Sequence, residues 1–195
     1  MFVISTRNFP PEVGGMQNLM GGLATALINH GPVKVFADKS ENFEKYDSFS
    51  KVEIERFGGI KLLRKYRKAN RVIECIKDNK NIRSIFFDHW KSVEKIKSNN
   101  IKNIPTFCLV HSKEINHEKN SGLNKRILVS LEKVKFIIAN SKFTKKLAIT
   151  IGLPEKKIHI IHPGHDEPLN IDSEFKRKTE KYYNCLLYTS DAADE

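Results

Sequence analysis

Short apolar runs alternate along this chain with longer amphipathic segments. The first run, Phe2–Ser5, is followed by a polar loop that contains two prolines and two glycines. From Met16 to Gly31, apolar residues recur every three or four positions, which is typical of an amphipathic helix. The opening therefore predicts a strand, a glycine-containing loop and a helix, which is how a βαβ unit begins.

The same alternation continues to about residue 161. Further strands are predicted at residues 33–37, 52–57, 82–87, 106–110, 136–139 and 157–161. Helices are predicted at residues 60–78, 92–98, 123–134 and 142–151, and the form of the polar connection after residue 37 stays open. Strands that alternate with helices predict an α/β fold with a Rossmann-like, doubly wound parallel sheet.

Ligands of such sheets bind beyond the carboxyl ends of the strands. Polar or glycine-bearing stretches directly follow four of the predicted strands, at residues 6–15, 88–90, 111–114 and 140–141. Trp90 could stack on a sugar ring, but core packing is the more common use of a single tryptophan. Ser141 is predicted to cap the next helix, and Gly152 to end it.

Composition and charge narrow the class of protein. The chain of 195 residues is 39% hydrophobic and 29% charged, a globular balance, and no apolar run is long enough to span a bilayer. Its three cysteines are scattered, which favours a reducing, cytoplasmic setting. The net charge of +11 predicts an anionic partner, which composition alone leaves open as nucleic acid, a phosphorylated ligand or an acidic membrane.

The last eleven residues differ from the rest. Residues 185–195 read CLLYTSDAADE, contain no Lys or Arg, and resemble the translation of a sequencing adaptor. We therefore set them aside from the fold prediction. Without the three acidic side chains of this tail, residues 1–184 carry a net charge of +14.

The loop at residues 9–15, FPPEVGG, is the first candidate site. Gly14 and Gly15 would let a ligand approach the backbone, and free N–H groups at a helix start favour phosphate. The loop matches neither the dinucleotide fingerprint nor a P-loop, so on its own it is more simply a tight turn.

Three segments together resemble glycosyltransferase family 4, whose members have the GT-B fold. The first is FPPEVGG with LAxxL at residues 23–27, and the second is ANSKFTK at 139–145 followed by KIHIIHPGHD at 157–166. The third is CLVHSKE at 108–114, where Ser112 stands in place of the family's usual glycine. The resemblance extends from residue 1 to about residue 168.

The resemblance implies a domain organisation and an activity. Residues 1–168 would form the N-terminal, acceptor-side domain, residues 169–184 a linker or the start of a missing C-terminal domain, and residues 185–195 an artefact. The whole enzyme would transfer a hexose from a nucleotide-sugar to a glycan or lipid-linked acceptor, with retention and with no cofactor. The chain alone would be inactive. A non-catalytic nucleotide-binding module is the alternative function, and a nucleic-acid-binding protein is a weaker one.

The resemblance also implies roles for particular residues. His111 would be catalytic with Glu114 as a weaker companion, and Gly14 and Gly15 would contact the donor phosphates. Two sets of residues at intervals of three, at positions 111–117 and 159–165, do not converge as metal ligands would on a helix or strand, so no metal site is predicted.

The predicted helix at residues 60–76 separates apolar from basic side chains. The apolar arc comprises Leu62, Leu63, Tyr66, Ala69, Ile73 and Ile76. We name the other arc the basic arc, and its proposed acceptor or membrane surface comprises Arg64, Lys65, Arg67, Lys68 and Arg71. A solvated face and a surface for anionic lipid headgroups are both open interpretations. The second would place the enzyme on the cytoplasmic face of a membrane. Nucleic acid is not expected, because aromatic residues are not interleaved with the basic ones.

Overall fold

The structure, a computed structural model, describes residues 1–164, 174, 177 and 178. Contacts divide the chain into two units, Met1–Pro163 and Gly164–Glu195. The predicted linker at 169–184, apart from three positions, and the adaptor-like tail at 185–195 lie outside the described residues.

A seven-stranded, all-parallel sheet organises the first unit. Its strands are β1 (Phe2–Ser5), β2 (Val33–Asp38), β3 (Glu53–Phe57), β4 (Ser84–Phe87), β5 (Thr106–Val110), β6 (Phe136–Ala139) and β7 (Ile158–Ile160). The strand order is β3-β2-β1-β4-β5-β6-β7. Phe2 pairs with Val33 on one side and with Ser84 on the other, so β1 lies between β2 and β4. The chain builds outward from β1 to β3 and then crosses back to β4, which makes the gap between β1 and β4 the topological switch point.

Helices cover both faces of the sheet. They are α1 (Gly15–Ile28), α2 (Phe43–Phe49), α3 (Lys61–Asp78), α4 (Trp90–Val93), α5 (Ser112–Ile115), α6 (Gly122–Glu132) and α7 (Lys142–Thr150). Short 3-10 turns occur at Ser98–Asn100 and Glu155–Lys157. None of the helices in the described part of the chain combines the length and apolar character that crossing a bilayer requires.

The two faces of the sheet bury separate hydrophobic cores. Ile4 belongs to the smaller core, which lies under α1 and includes Met20 and Ala24. Val3 belongs to the larger core, which also contains residues of α3, α4, α6 and α7. Because neighbouring residues of a strand point to opposite faces, both faces of β1 are buried, which explains its continuous apolar run. The predicted α/β, Rossmann-like fold is confirmed.

Two predicted elements differ from the structure. The helix predicted at residues 92–98 is the single turn α4, which begins earlier because the His89 side chain accepts a hydrogen bond from the Lys91 N–H and caps it. The polar connection after β2 contains a helix, α2, none of whose residues is buried. Its apolar residues Phe43, Tyr46 and Phe49 recur every three positions, and Tyr46 packs against the smaller core, but the helix is only seven residues long.

The buried face of α3 overlaps the predicted apolar arc only in part, since Ala69 and Ile76 pack on the larger core. Ala69, Val72 and Cys75 are buried, whereas Leu62, Leu63 and Tyr66 of the predicted apolar arc are exposed. Ala69, Val72 and Cys75 lie in the larger core, but Lys68, near the middle of the helix, bonds to the polar carboxyl end of the sheet. The buried face of the helix therefore includes a lysine as well as apolar side chains.

Candidate functional site

Asp88 joins the two strands that border the switch point. Its Oδ2 accepts hydrogen bonds from Thr6 Oγ1 at 2.9 Å and from the Arg7 N–H at 2.7 Å, and its Oδ1 accepts one from Ser92 Oγ at 2.6 Å. The residue is fully buried. Asp88 therefore holds the loop after β1 against the start of α4, at the edge where ligands of this fold bind.

Trp90 and His89, which follow Asp88, are both buried. Trp90 is only 1% exposed and belongs to the larger core, which confirms its predicted structural use. His89 Nδ1 accepts the Lys91 N–H, so the neutral ring carries its proton on Nε2, 3.5 Å from Glu114 Oε1. Burial, reinforced by the positive charges of Arg7 and Lys91, lowers the pKa of His89 to about 3. The ring is therefore neutral at physiological pH.

His111 lies directly after β5 and is half-buried. Its Nδ1 is 3.4 Å from the Asn140 amide nitrogen, and Asn140 is oriented by accepting a 2.6 Å hydrogen bond from Thr144 Oγ1. The other ring nitrogen, Nε2, is buried and has no hydrogen-bond partner among the described residues. Burial lowers the pKa of His111, against the opposing effect of Asp88. His111 is thus a neutral imidazole with one nitrogen free.

Glu114 lies one turn beyond His111 on α5. Its Oε2 is also buried without a hydrogen-bond partner in the described part of the chain. Burial, with Asp88 adding to it, raises the pKa of Glu114 to about 7, although Arg7 and Lys91 act in the opposite direction. A carboxyl group with this pKa can both donate and accept a proton at neutral pH.

The structure thus brings together all four polar stretches predicted at strand ends, since Thr6 and Arg7 contact Asp88. Glu114 contacts His89, and His111 contacts Asn140, across the ends of β4, β5 and β6. Ser141 caps α7 as predicted, since its Oγ accepts the Thr144 N–H. Buried polar atoms without partners are uncommon in folded proteins, and a bound ligand is one way of satisfying them.

The glycine turn is placed at the start of α1. Gly14 precedes the helix with an extended backbone and no side-chain cap, and Gly15 is its first residue. A Cβ atom at Gly15 would meet nothing within 4 Å, whereas one at Gly14 would meet the flexible Gln17 side chain at 2.4 Å. A side chain at Gly15 would therefore meet no described residue of this chain. Any conflict there must come from a bound molecule or another domain.

The structure corrects the assignment of Lys68 to an exposed basic surface. Lys68 is only 4% exposed, and its Nζ donates to Asp38 Oδ1 at 2.7 Å and to the Thr6 carbonyl at 2.5 Å. Burial lowers its pKa, and Asp38 opposes that shift. The prediction for Lys68 is wrong, because helical spacing cannot show that the Asp38 carboxylate, at the end of β2, lies beside the buried face of α3.

The remaining members of the basic arc are also engaged within the protein. Arg64 Nε lies 3.2 Å from Asp38 Oδ2 but makes no hydrogen bond through that atom, and Lys65 Nζ lies 3.6 Å from Glu94. Arg71 pairs with Glu55 and Glu74, and Arg67 donates to the Gly58 carbonyl. Arg64, Lys65, Arg67 and Arg71 retain partial or full exposure.

A basic cleft lies between α3, α4 and the end of β1. Lys and Arg supply seven of its eleven lining residues, including Arg64, Lys65 and Lys68 of the basic arc. Lys61 shares the polar side of the predicted helix with the basic arc, whereas Arg7, Lys91 and Lys95 were not among the predicted site residues. Arg7 and Lys91 follow β1 and β4 so closely that their place at the carboxyl edge could have been read from the strand ends. In the described part of the chain, no group of three His, Cys, Asp or Glu side chains is arranged to hold a metal.

Comparison with known proteins establishes the family. The sequence profile of Glycosyltransferase Family 4 matches residues 13–167, which is most of the chain. The chain belongs to Glycosyltransferase Family 4. A search of curated protein sequences finds no significant match.

Solved structures of low sequence identity share the fold of this family 4 chain. Anabaena HepE in complex with UDP has a TM-score of 0.70 at 14% identity, and the match covers 94% of this chain and 50% of that one. A Rickettsia africae glycosyltransferase has a TM-score of 0.65 at 15% identity, with coverage of 94% and 49%. UDP-N-acetylglucosamine 2-epimerase from Rickettsia bellii has a TM-score of 0.57 at 10% identity, and the match covers 94% of this chain and 47% of that one.

The chain spans about half the length of each of these structures. Its fold is the Rossmann-like fold of the N-terminal half of GT-B glycosyltransferases. Because an epimerase shares this fold as well, the likeness in fold does not select an activity.

Proposed function

We propose that residues 1–168 are the acceptor-side domain of a glycosyltransferase that moves a sugar from a nucleotide-sugar to an acceptor hydroxyl. Membership of Glycosyltransferase Family 4 supports glycosyl transfer from such a donor in general. The pair His111 and Glu114 carries the proposal. Both lie at the carboxyl edge of the sheet, and each has a buried polar atom without a partner among the described residues.

The donor would bind at the glycine turn. The first N–H groups of α1 have no intrahelical acceptor, and open space lies around Gly15, so Gly14 and Gly15 would let the donor phosphates approach the backbone. HepE has been solved with UDP and with UDP-glucose, which supports a uridine nucleotide as the first donor to try. In this proposal the nucleotide-sugar is a substrate, and no cofactor or metal takes part.

His111 would orient the acceptor hydroxyl or the transferring sugar through its free Nε2. Glu114, whose pKa burial raises to about 7, would take up or release a proton close by. The departing diphosphate would be stabilised by backbone N–H groups and cationic side chains. We propose a hexosyl transfer with retention at the anomeric carbon, as the family resemblance implies.

The acceptor would be a glycan or a lipid-linked molecule of the cell envelope, and the enzyme would work at the cytoplasmic face of a membrane. The exposed start of α3 supports this, because Leu62, Leu63 and Tyr66 are about half exposed or more. Lys61 and Arg67 lie on the same segment and are exposed. Apolar side chains beside cations suit an anionic bilayer surface. This surface retains Arg67 of the basic arc and replaces the other four residues of that arc as the proposed membrane contact.

Catalysis in this proposal requires a second, donor-binding domain. A cleft that closes between two domains positions the reactants and excludes water. We therefore expect residues 1–195 alone to turn over no nucleotide-sugar, with residues 169–184 leading towards the second domain and residues 185–195 contributing nothing. Joining the chain to a donor-binding domain is expected to restore transfer.

The test compares His111→Ala with His117→Ala in the two-domain enzyme. We expect His111→Ala to lower kcat by about 10²-fold or more, the usual scale for a positioned acid–base or hydrogen-bonding group. His117→Ala, six residues further along, serves as the control and is expected to keep its rate. The anomeric configuration of the product, followed by NMR, tests retention.

A near-normal rate for His111→Ala would overturn the role of this residue. A two-domain protein that binds UDP but transfers and hydrolyses no UDP-sugar would instead favour the alternative, a nucleotide-binding module without catalysis.

A further inference from the structure

We infer that the basic cleft between α3 and α4 binds a phosphate or diphosphate group carried by the acceptor. The inference deepens the proposed function and rests on it, because the acceptor supplies the anion. The observation behind it is an accumulation of cations, several of which have no carboxylate partner at the switch point of the sheet.

Four cleft cations are unpaired. Among the described residues, Arg7, Lys61, Lys91 and Lys95 form no ion pair with a carboxylate. Lys91 and Lys95 lie against aromatic rings instead, 5.2 Å from the Trp90 centroid and 4.7 Å from the Tyr66 centroid. Such contacts leave the ammonium groups free to turn towards an anion.

Three carboxylates near the cleft already have partners. Asp88 accepts hydrogen bonds from the Arg7 N–H at 2.7 Å and from Ser92 Oγ at 2.6 Å. Asp38 pairs with Lys68 at 2.7 Å and lies 3.2 Å from Arg64. Glu94 accepts from Arg126 at 2.6 Å and lies 3.6 Å from Lys65. The cleft therefore carries a clear excess of positive charge. A multiply charged phosphate compensates several ammonium groups at once, whereas a single carboxylate would leave most of them uncompensated.

Neighbouring side chains respond to this excess. Burial lowers the pKa of Lys91, and the charges of Arg7, Lys65 and Lys61 lower it further. The charges of Arg7, Lys91 and Lys65 likewise contribute to the low pKa of His89, after burial. A bound anion would reverse these effects, because an opposite charge favours the protonated lysine.

Position separates this cleft from the proposed donor site. α3 and α4 cover the face of the sheet with the larger core, whereas α1, with the glycine turn at its start, covers the opposite face. Two phosphate-bearing groups could thus occupy the same sheet edge on different faces. The enclosed space is only about 10 Å³, so the anion would lie at the mouth, within reach of the lysine ammonium groups.

The test uses inorganic pyrophosphate and calorimetry on the 195-residue chain at low salt. The cleft variant, Lys91→Gln/Lys95→Gln, removes two positive charges from the cleft. The control variant, Lys77→Gln/Lys80→Gln, removes two exposed positive charges near the C-terminal end of α3. We expect binding about tenfold weaker in the cleft variant and nearly unchanged in the control. Lys91→Arg/Lys95→Arg should keep the affinity. No binding to the original chain, or equal weakening in both Gln variants, would overturn the inference.

A second arm identifies whether a lipid carries the phosphate. Sedimentation with phosphatidylglycerol vesicles, and with phosphatidylcholine vesicles as the neutral control, is measured for the same variants. Loss of vesicle binding in the cleft variant indicates a lipid phosphate, and loss of pyrophosphate binding alone indicates a water-soluble phosphorylated acceptor. Neither measurement involves sugar transfer, so failure here leaves the His111 experiment intact, and the converse also holds.

Discussion

Two buried polar clusters at the carboxyl edge of the sheet differ in how completely their groups are bonded. In the first, Lys68 donates to Asp38 and to the Thr6 carbonyl. In the second, His111 Nε2 and Glu114 Oε2 are buried without partners among the described residues. The first arrangement stabilises the fold, whereas the second leaves groups available to a ligand at some cost in stability. The two clusters therefore differ less in burial than in whether their buried polar atoms have hydrogen-bond partners.

The largest expected effect on stability is in the first cluster. Lys68→Met would leave Asp38 with only the weaker contact from Arg64 and would leave the Thr6 carbonyl without this donor. We expect a loss of about 2–3 kcal/mol in the free energy of unfolding, measured by urea denaturation. Lys61→Met, on the exposed start of the same helix, is the control and should change little. Equal stability of the two variants would show that the Lys68 pair does not stabilise the fold.

The second cluster is expected to respond to pH in the opposite way to an ordinary carboxylate. The pKa of Glu114 is raised to about 7 in the folded protein from its ordinary value of 4.5, so folding favours its protonated form. Its contribution to stability is therefore greatest below pH 4.5 and is lost as the pH rises towards 7 and beyond.

Glu114→Gln removes this titration. We expect the variant to be more stable than the original chain at pH 8, by about 1 kcal/mol once solvent screening of a partly exposed group is allowed for, and nearly equal to it at pH 5. Thermal unfolding at the two pH values measures the difference. A gain at pH 5 that disappears at pH 8 would reverse the assignment.

The glycine turn adds a third kind of region, in which Gly15 is exposed and has open space around it. Gly15→Trp is expected to leave the melting temperature unchanged, because no described atom lies near its Cβ position. In the two-domain enzyme it should weaken use of the nucleotide-sugar by about tenfold through conflict with the donor phosphates. Gly22→Trp is the matched control, since its Cβ position on α1 is equally open. If both variants behave alike, the turn is structural only.

The smallest effect on stability is expected at the exposed start of α3. Leu62 and Leu63 are 60% and 58% exposed, so Leu62→Ser/Leu63→Ser removes little buried area. We expect no measurable change in unfolding but weaker sedimentation with phosphatidylglycerol vesicles. Undiminished vesicle binding would exclude this segment as the membrane surface.

The sequence predicted some of the candidate site because some of its features are local. His111 directly follows β5, Glu114 lies one turn further on, and Gly15 ends the loop that follows β1. A parallel sheet places the ends of such strands at one edge. The apolar arc of α3 was predicted correctly for Ala69 and Ile76 and wrongly for Leu62, Leu63 and Tyr66, because the first turns of the helix do not pack on the core. Hydrophobic periodicity reports which side of a helix could be buried, and it cannot report that a carboxylate from another strand will bury a lysine.

The alternation of short apolar runs and amphipathic segments determined the α/β class of this protein, since side-chain period is set within a few residues of backbone. Its motifs also determined the resemblance to family 4. Only the tertiary structure decided which polar groups meet: Lys68 and Asp38 are 30 residues apart, and Thr6 and Asp88 are 82 apart. It decided the raised pKa of Glu114 as well, because desolvation depends on everything packed around a group. These contacts and this pKa depend on strand order and on burial, and the spacing of neighbouring residues in the sequence determines neither of them.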